Sequence, residues 1–179
     1  MLTYRIKLSK FLSYVLRHAP ERFGLELDRY GFGPLEDVLH ILKKRFRNFK
    51  KEDLFDLVRD DQKGRFQIVH GRIRAVYGHS ITVIPRSGNV TPPETLYHGT
   101  SAASADRILR DGLMPMGRQF VHLSVSDEDA RMVGKRHDES PVILEITAGE
   151  ASLGGVEFWK EGKLFLAKRI PAEYIRKRP

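Results

Sequence analysis

The 179 residues contain no cysteine. That excludes a disulfide framework, thiolate metal sites and a cysteine nucleophile, and it fits a reducing compartment. Long apolar runs are missing as well, none approaching the ~18 residues that a membrane span needs. The opening MLTYRIKLSKFL is interrupted by Arg5, Lys7 and Lys10, so no signal peptide is expected. Seven histidines without cysteine, and without HExxH-like spacing, offer no metal ligand set. Internal repeats and low-complexity tracts are absent too. What remains, 41% hydrophobic and 30% charged residues, suits a globular protein of one domain or two small ones.

The charge is lopsided. Residues 1–90 hold 18 Lys and Arg against 10 Asp and Glu, whereas residues 91–179 hold 13 of each. A basic half joined to a neutral half suits a polyanion-binding module attached to something else, and a solvated basic face would look the same. The boundary falls in PRSGNVTPPET (residues 85–95), whose three prolines neither continue a strand nor start a long helix.

In residues 5–18, Leu8, Phe11, Leu12, Val15 and Leu16 share one helical face, and Pro20 ends the helix near His18. Further helices are expected over 34–46, with Pro34 in the first turn, and over 51–60. RFQIVHGRIRAVYG reads as two short strands turning near Gly71. Three helices and a basic hairpin make a winged-helix-like module, and helix-turn-helix relatives commonly grip nucleic acid. The second half reads as α+β. Strands are expected at 96–98, 121–124, 142–147, 156–159 and 164–166, with helices over 101–111 and 126–136. Thr100 or Ser101 can cap the first of these helices, and Gly112 can end it.

Four clusters could carry chemistry. Arg17 and His18 end the first helix, where the dipole alone favours cations. Lys63, Gly64 and Arg65 open the hairpin as a charged turn. Tyr97-His98-Gly99-Thr100 runs from a strand into a helix, a junction whose backbone amides can hold an anion or simply be capped. Arg118 to Ser124 places His122 on a strand.

Taken together, LSKFLSYVLRH (8–18), KGRF (63–66), LYHGT (96–100), RQFVHLS (118–124) and VGKRH (133–137) stand in one order across nearly the whole chain. In these motifs it resembles the RNA 2′-phosphotransferase family, NAD-dependent enzymes that remove a splice-junction 2′-phosphate from tRNA. The resemblance implies an α+β protein with an N-terminal winged-helix-like RNA lobe (1–85) and a linker (86–95). It further implies a C-terminal ADP-ribosyltransferase-like lobe with a split β-sheet (96–179), and an active site in the cleft between the lobes. It implies catalytic roles for Arg17, His18, Lys63, Arg65 and Arg118. It places His98, Gly99, Thr100, His122, Ser124, Arg136 and His137 on the NAD side. It also sets aliphatic Leu164 where poly(ADP-ribose) polymerases carry a glutamate. The expected setting is a cytoplasmic monomer with no metal and no membrane partner, acting on RNA and consuming NAD.

Those residue types suit the implied reaction. A 2′-phosphate monoester carries about −1.5 to −2 charges near neutral pH. Arginine answers it with a permanent charge and a bidentate fork. In the first step the phosphate attacks the anomeric carbon of the nicotinamide ribose. The nucleophile is already anionic, so no general base is needed. In the second step the adjacent ribose hydroxyl attacks phosphorus, releasing RNA with its 2′-OH and an ADP-ribose cyclic phosphate. Lys63, Arg65 and Arg118 would stabilise the charge that grows on the phosphate oxygens. His18 has two roles open to it, proton donor to the leaving oxygen or positioner of the phosphate. Lys10, Lys43, Lys44, Arg45, Arg47, Arg72 and Arg74 are candidates for contacts along the RNA backbone. Two other readings fit part of the pattern: an ADP-ribosyltransferase that caps terminal phosphates of RNA or DNA, and a non-enzymatic winged-helix nucleic-acid-binding protein.

Overall fold

Leucine spacing sets the first element. In the computed structural model, which describes residues 2–136 and 138–178, helix α1 runs over Leu2–Arg17 and buries Leu8, Leu12, Val15 and Leu16. It begins earlier than expected because Tyr4 extends the same stripe. The Tyr4 ring meets Phe46 edge-on at 5.8 Å and its hydroxyl donates to Asp53 at 3.0 Å. Pro20 opens a short 3-10 turn, Pro20–Phe23, closed by Gly24 in the left-handed region. Helices α2 (Leu35–Arg45) and α3 (Lys51–Arg59) follow. Pro34 stands just before α2 as its cap residue. Asp53, three residues into α3, accepts from the Lys50 amide at 2.9 Å and so satisfies one orphan donor of that helix.

Strands β1 (Gly33–Pro34), β2 (Phe66–Val69) and β3 (Arg72–Ala75) form an antiparallel sheet in the order β1-β3-β2. The β2–β3 hairpin turns at His70 and Gly71, both at positive φ, as a tight two-residue turn requires. Two-residue β1, half of it proline, is too short to carry an alternation in the sequence. A core of Leu8, Leu12, Leu16, Val38, Leu42, Leu54 and Ile73 lies between helices and sheet.

The chain divides into two compact units, Met1–Ile84 and Pro85–Pro179. Residues 86–95, expected as a linker, are laced to a strand of the second unit. The amides of Phe158 and Lys160 donate to Asn89 Oδ1 (3.1 Å) and Ser87 Oγ (2.9 Å), Val90 donates to the Phe158 carbonyl (2.8 Å), and the Arg86 amide donates to the Glu161 carboxylate. Side-chain oxygens here stand in for ladder carbonyls beside a proline-rich segment that cannot form a regular strand.

The second unit runs β4 (Thr95–Thr100), α4 (Ala102–Asp111), β5 (Val121–Ser124), α5 (Asp127–Gly134), β6 (Val142–Thr147), α6 (Ala148–Leu153), β7 (Phe158–Glu161), β8 (Leu164–Ala167) and β9 (Ile175–Lys177). All pairings in its sheet are antiparallel, in the order β7-β8-β5-β4-β6-β9. Of the two candidate caps for α4 it is Ser101 that accepts, from the Ser104 amide at 3.4 Å, and Gly112 at φ +86° ends the helix. The core holds Leu96, Leu123, Leu144, Ile146 and Phe158. Between β4 and β5 the ladder is reduced, among the described residues, to one registered pair, Tyr97 with Ser124. The architecture is α+β with two antiparallel sheets. No helix among the described residues is long and apolar enough to cross a membrane.

Candidate active site

Helix α1 delivers Arg17 and His18 at its C-terminal end. The Arg17 guanidinium carbon lies 5.3 Å from the Tyr77 ring centroid and 5.9 Å from that of Phe66, within cation–π range of both. The same group lies against the backbone of Gly78, where an added Cβ would stand 3.2 Å from Nη1. Gly78 also has φ +90°, which glycine adopts without strain. His18 Nδ1 lies 2.9 Å from Ser80 Oγ, and the Ser80 amide donates to the Arg17 carbonyl at 3.0 Å. The segment after β3, residues 77–80, therefore holds the end of α1.

Arg65 comes from the turn before β2, its guanidinium carbon 5.5 Å from the same Phe66 ring. Asp61, with its side chain only 2% exposed, grips it: Arg65 Nε donates at 3.0 and 3.2 Å, Nη2 at 2.9 Å and the backbone amide at 2.5 Å. Burial pushes the Asp61 carboxyl up. The Arg65 guanidinium and nearby amides outweigh that and hold it below the usual carboxylate range. Gly64, at φ +58°, closes the turn by donating to the Asp61 carbonyl at 2.8 Å. Lys63 is exposed, and its carbonyl accepts from the Tyr77 hydroxyl at 2.9 Å. Arg17 and Arg65, far apart in sequence, thus share the Phe66 ring, with the Lys63 carbonyl on the Tyr77 hydroxyl and His18 held by Ser80 next to Arg17.

His79 lies beneath this cluster, 5% exposed. Burial, then the charges of Arg17, Arg74 and His18, push it down to about 4, so it is neutral at pH 7. Arg74, expected to reach RNA, is buried instead. It donates to Gln67 Oε1 at 2.9 Å and packs over Phe32. Strand alternation sets it on the face opposite core-facing Ile73 and Ala75, where Phe32 and Gln67 cover it. Arg72 donates to the Phe32 carbonyl at 2.7 Å and pairs with Asp28 at 3.3 Å.

In the second unit, His98 on β4 and His122 on β5 meet where the ladder between these strands is thin. The Nδ1–H of His98 donates to the His122 carbonyl at 3.1 Å. Thr100 and Ser124 are buried at the ends of the same two strands, and Ser124 pairs with Leu164 on β8. A Cβ on Gly99 would stand 1.9 Å from the Ala130 carbonyl of α5, and one on Gly134 would strike Pro141 and the Gly99 backbone. Close packing of α5 on β4 thus accounts for glycine at 99 without any ligand. Arg118 is exposed on the loop before β5 and Arg136 is exposed beyond α5. His137 lies outside the described residues. Among the described residues no group of three or more His, Asp and Glu is placed to hold a metal ion.

Asp61, Tyr77, Gly78, His79 and Ser80 do not stand out in the sequence. The available signals are slight: an acid four residues before Arg65, and an aromatic-Gly-His-Ser run just past a strand.

The model of the RNA 2′-phosphotransferase, Tpt1 / KptA family, matches residues 3–166. A probable RNA 2′-phosphotransferase of Bacillus thuringiensis is 44% identical over 171 residues, covering 94% of this chain and 92% of that protein. One of Acetivibrio thermocellus is 43% identical, covering 95% of each. Probable RNA 2′-phosphotransferase 2 of Archaeoglobus fulgidus is 43% identical, covering 96% of this chain and 80% of that protein. With matches of this extent, the chain belongs to the RNA 2′-phosphotransferase family.

Proposed function

We propose that this protein removes an internal 2′-phosphate from RNA, with NAD as the consumed co-substrate. The observation that carries the reading is the gathering of Arg17 and Arg65 on the Phe66 ring, with His18 beside Arg17. Two guanidinium groups held by aromatic rings and a buried carboxylate form a preorganised receptor for a phosphate monoester. A diester, with one charge and two blocked oxygens, would engage it less well. The three helices and three-stranded sheet of the first unit are read as winged-helix-like, with the β2–β3 hairpin as the wing. The second unit is read as an ADP-ribosyltransferase-like NAD lobe.

The second unit fits that co-substrate in its donor chemistry. The His122 carbonyl takes Nδ1–H of His98, so in the neutral ring Nε2 is an acceptor suited to a ribose hydroxyl. Thr100 and Ser124 add hydroxyls on the same two strands. Arg136 and His137 are assigned to NAD by resemblance. NAD supplies the ribosyl electrophile and nicotinamide as leaving group.

The 2′-phosphate oxygen bonds to the anomeric carbon as the nicotinamide bond breaks. The neighbouring ribose hydroxyl then bonds to phosphorus and gives up its proton, while the RNA 2′-oxygen leaves and takes one up, so the step is proton-neutral overall. Arg17 and Arg65 hold the phosphate oxygens through both steps, Lys63 adds charge from the same turn, and His18 donates the proton or positions the phosphate. Arg118 takes part in turnover, so Arg118→Ala should lose NAD consumption.

The test is a short RNA with one internal 2′-phosphate, incubated with and without NAD. Loss of the phosphate only with NAD, together with release of an ADP-ribose cyclic phosphate, is expected. A persistent ADP-ribosylated end would instead assign a capping transferase, and tight RNA binding without NAD turnover would assign a binding protein.

A further inference from the structure

We infer that Asp61 is a positioning residue for the reaction, setting the Arg65 guanidinium side-on so that its outer edge is presented to the RNA phosphate. This rests on the functional reading above. The buried Asp61 carboxylate takes Nε–H and one Nη2–H of Arg65, and the Arg65 backbone amide as well. Guanidinium has five N–H donors in one plane. Asp61 occupies the Nε side and leaves the second Nη2 hydrogen and one Nη1 hydrogen pointing along the end of the fork. That end-on edge is one that matches two phosphate oxygens bidentately. The Phe66 ring, 5.5 Å from the guanidinium carbon, packs against the same group. Clamped by the carboxylate and packed on the ring, the fork has lost its rotamer freedom before the phosphate arrives, so little ordering cost is left for binding.

A carboxylate beside a phosphate receptor is otherwise a liability, since it offsets the cation and repels the ligand. Its burial against Arg65 therefore favours orientation over raw charge as what this turn provides. Asp61 also shapes the turn itself, so a merely structural role has to be separated from a positioning one.

Asp61→Asn makes that separation. The amide oxygen still accepts from the Arg65 backbone amide, preserving the turn. The new NH2 group faces the Arg65 fork, where it cannot accept, and the side-on clamp is lost. The readouts are affinity for an oligonucleotide with and without its 2′-phosphate, kcat, and KM for NAD. Asp61→Asn is expected to reduce the preference for the 2′-phosphorylated strand, and kcat, by about tenfold or more, as losing a hydrogen bond to a charged group implies. KM for NAD should stay unchanged. In an Arg65→Lys background, where no fork exists to be clamped, adding Asp61→Asn should have no further effect on that preference.

An Asp61→Asn protein with wild-type preference and kcat overturns the proposal. So does an equal loss in the Arg65→Lys background, which would place the effect elsewhere. Circular dichroism checks that the variant folds. If it does not, Asp61→Glu, which keeps the charge but moves the carboxylate by one methylene, takes its place: the same losses support the proposal and wild-type values overturn it. Wild-type protein that neither turns over nor prefers the 2′-phosphorylated strand would overturn the functional reading and this inference with it. An active, selective wild type beside an unaffected Asp61→Asn overturns this inference alone.

Discussion

His79 is the side chain whose chemistry reaches furthest beyond its size. Its imidazole ionises in the unfolded chain near pH 6.5 but only near pH 4 when folded, under burial and the charges of Arg17, Arg74 and His18. The folded state therefore favours the neutral ring. The stability this supplies is complete above about pH 6.5 and is lost as pH falls toward 4. A separation of that size corresponds to about 3 kcal/mol. Urea unfolding at a series of pH values between 4 and 7 should show this decline, and His79→Gln should flatten it. A wild-type curve no steeper than that of the variant would remove His79 as the source. The residue itself is open to sequence reading only as a histidine near the end of a strand. Its depressed ionisation comes first from burial and then from the charges of Arg17, Arg74 and His18, a setting that no local pattern reveals. Arg17, His18, Lys63 and Arg65 are legible because ordered motifs mark them. Asp61 is not, because its partner lies across a turn whose shape depends on Gly64 at positive φ.

Among the elements, those with a strong period are plain in the sequence. The apolar stripe of α1 and the alternating runs of β5 and β6 announce themselves, and β5 and β6 match their expected bounds residue for residue. Elements too short to carry a period do not: β1 with two residues, α6 with six, and β9 with three set among arginine and lysine. These owe their conformation to the neighbours they pair with or pack on. Helix α5 shows the reverse dependence, a long-range contact written into single residues. It approaches β4 so closely that Gly99 and Gly134 have no room for a methyl group. Gly99→Ala should force α5 away from the sheet and destabilise the protein by about 1–3 kcal/mol or more, as overpacking does. Thermal unfolding checks this, and an unchanged melting temperature would show that the helix can move aside without cost.

On the scale of the whole chain, charge is divided as unevenly as chemistry. The surplus of Lys and Arg falls within residues 1–90, where Lys43, Lys44, Arg45 and Arg47 are exposed at and just past the end of α2. RNA affinity should therefore fall steeply with salt, each phosphate contact contributing a slope of about −0.7 for single strands. The KM for NAD, the proposed co-substrate, should respond far less. Equal salt sensitivity of the two would dissociate RNA binding from the basic half. The second unit has its own organising feature in the β4–β5 seam, where Tyr97 and Ser124 are the one registered pair among the described residues. On either side of it stand two three-stranded ribbons, β7-β8-β5 and β4-β6-β9. Backbone amides that face across this seam lack the regular ladder that β4 shares with β6, so their hydrogen–deuterium exchange should outpace that of the β4–β6 rungs.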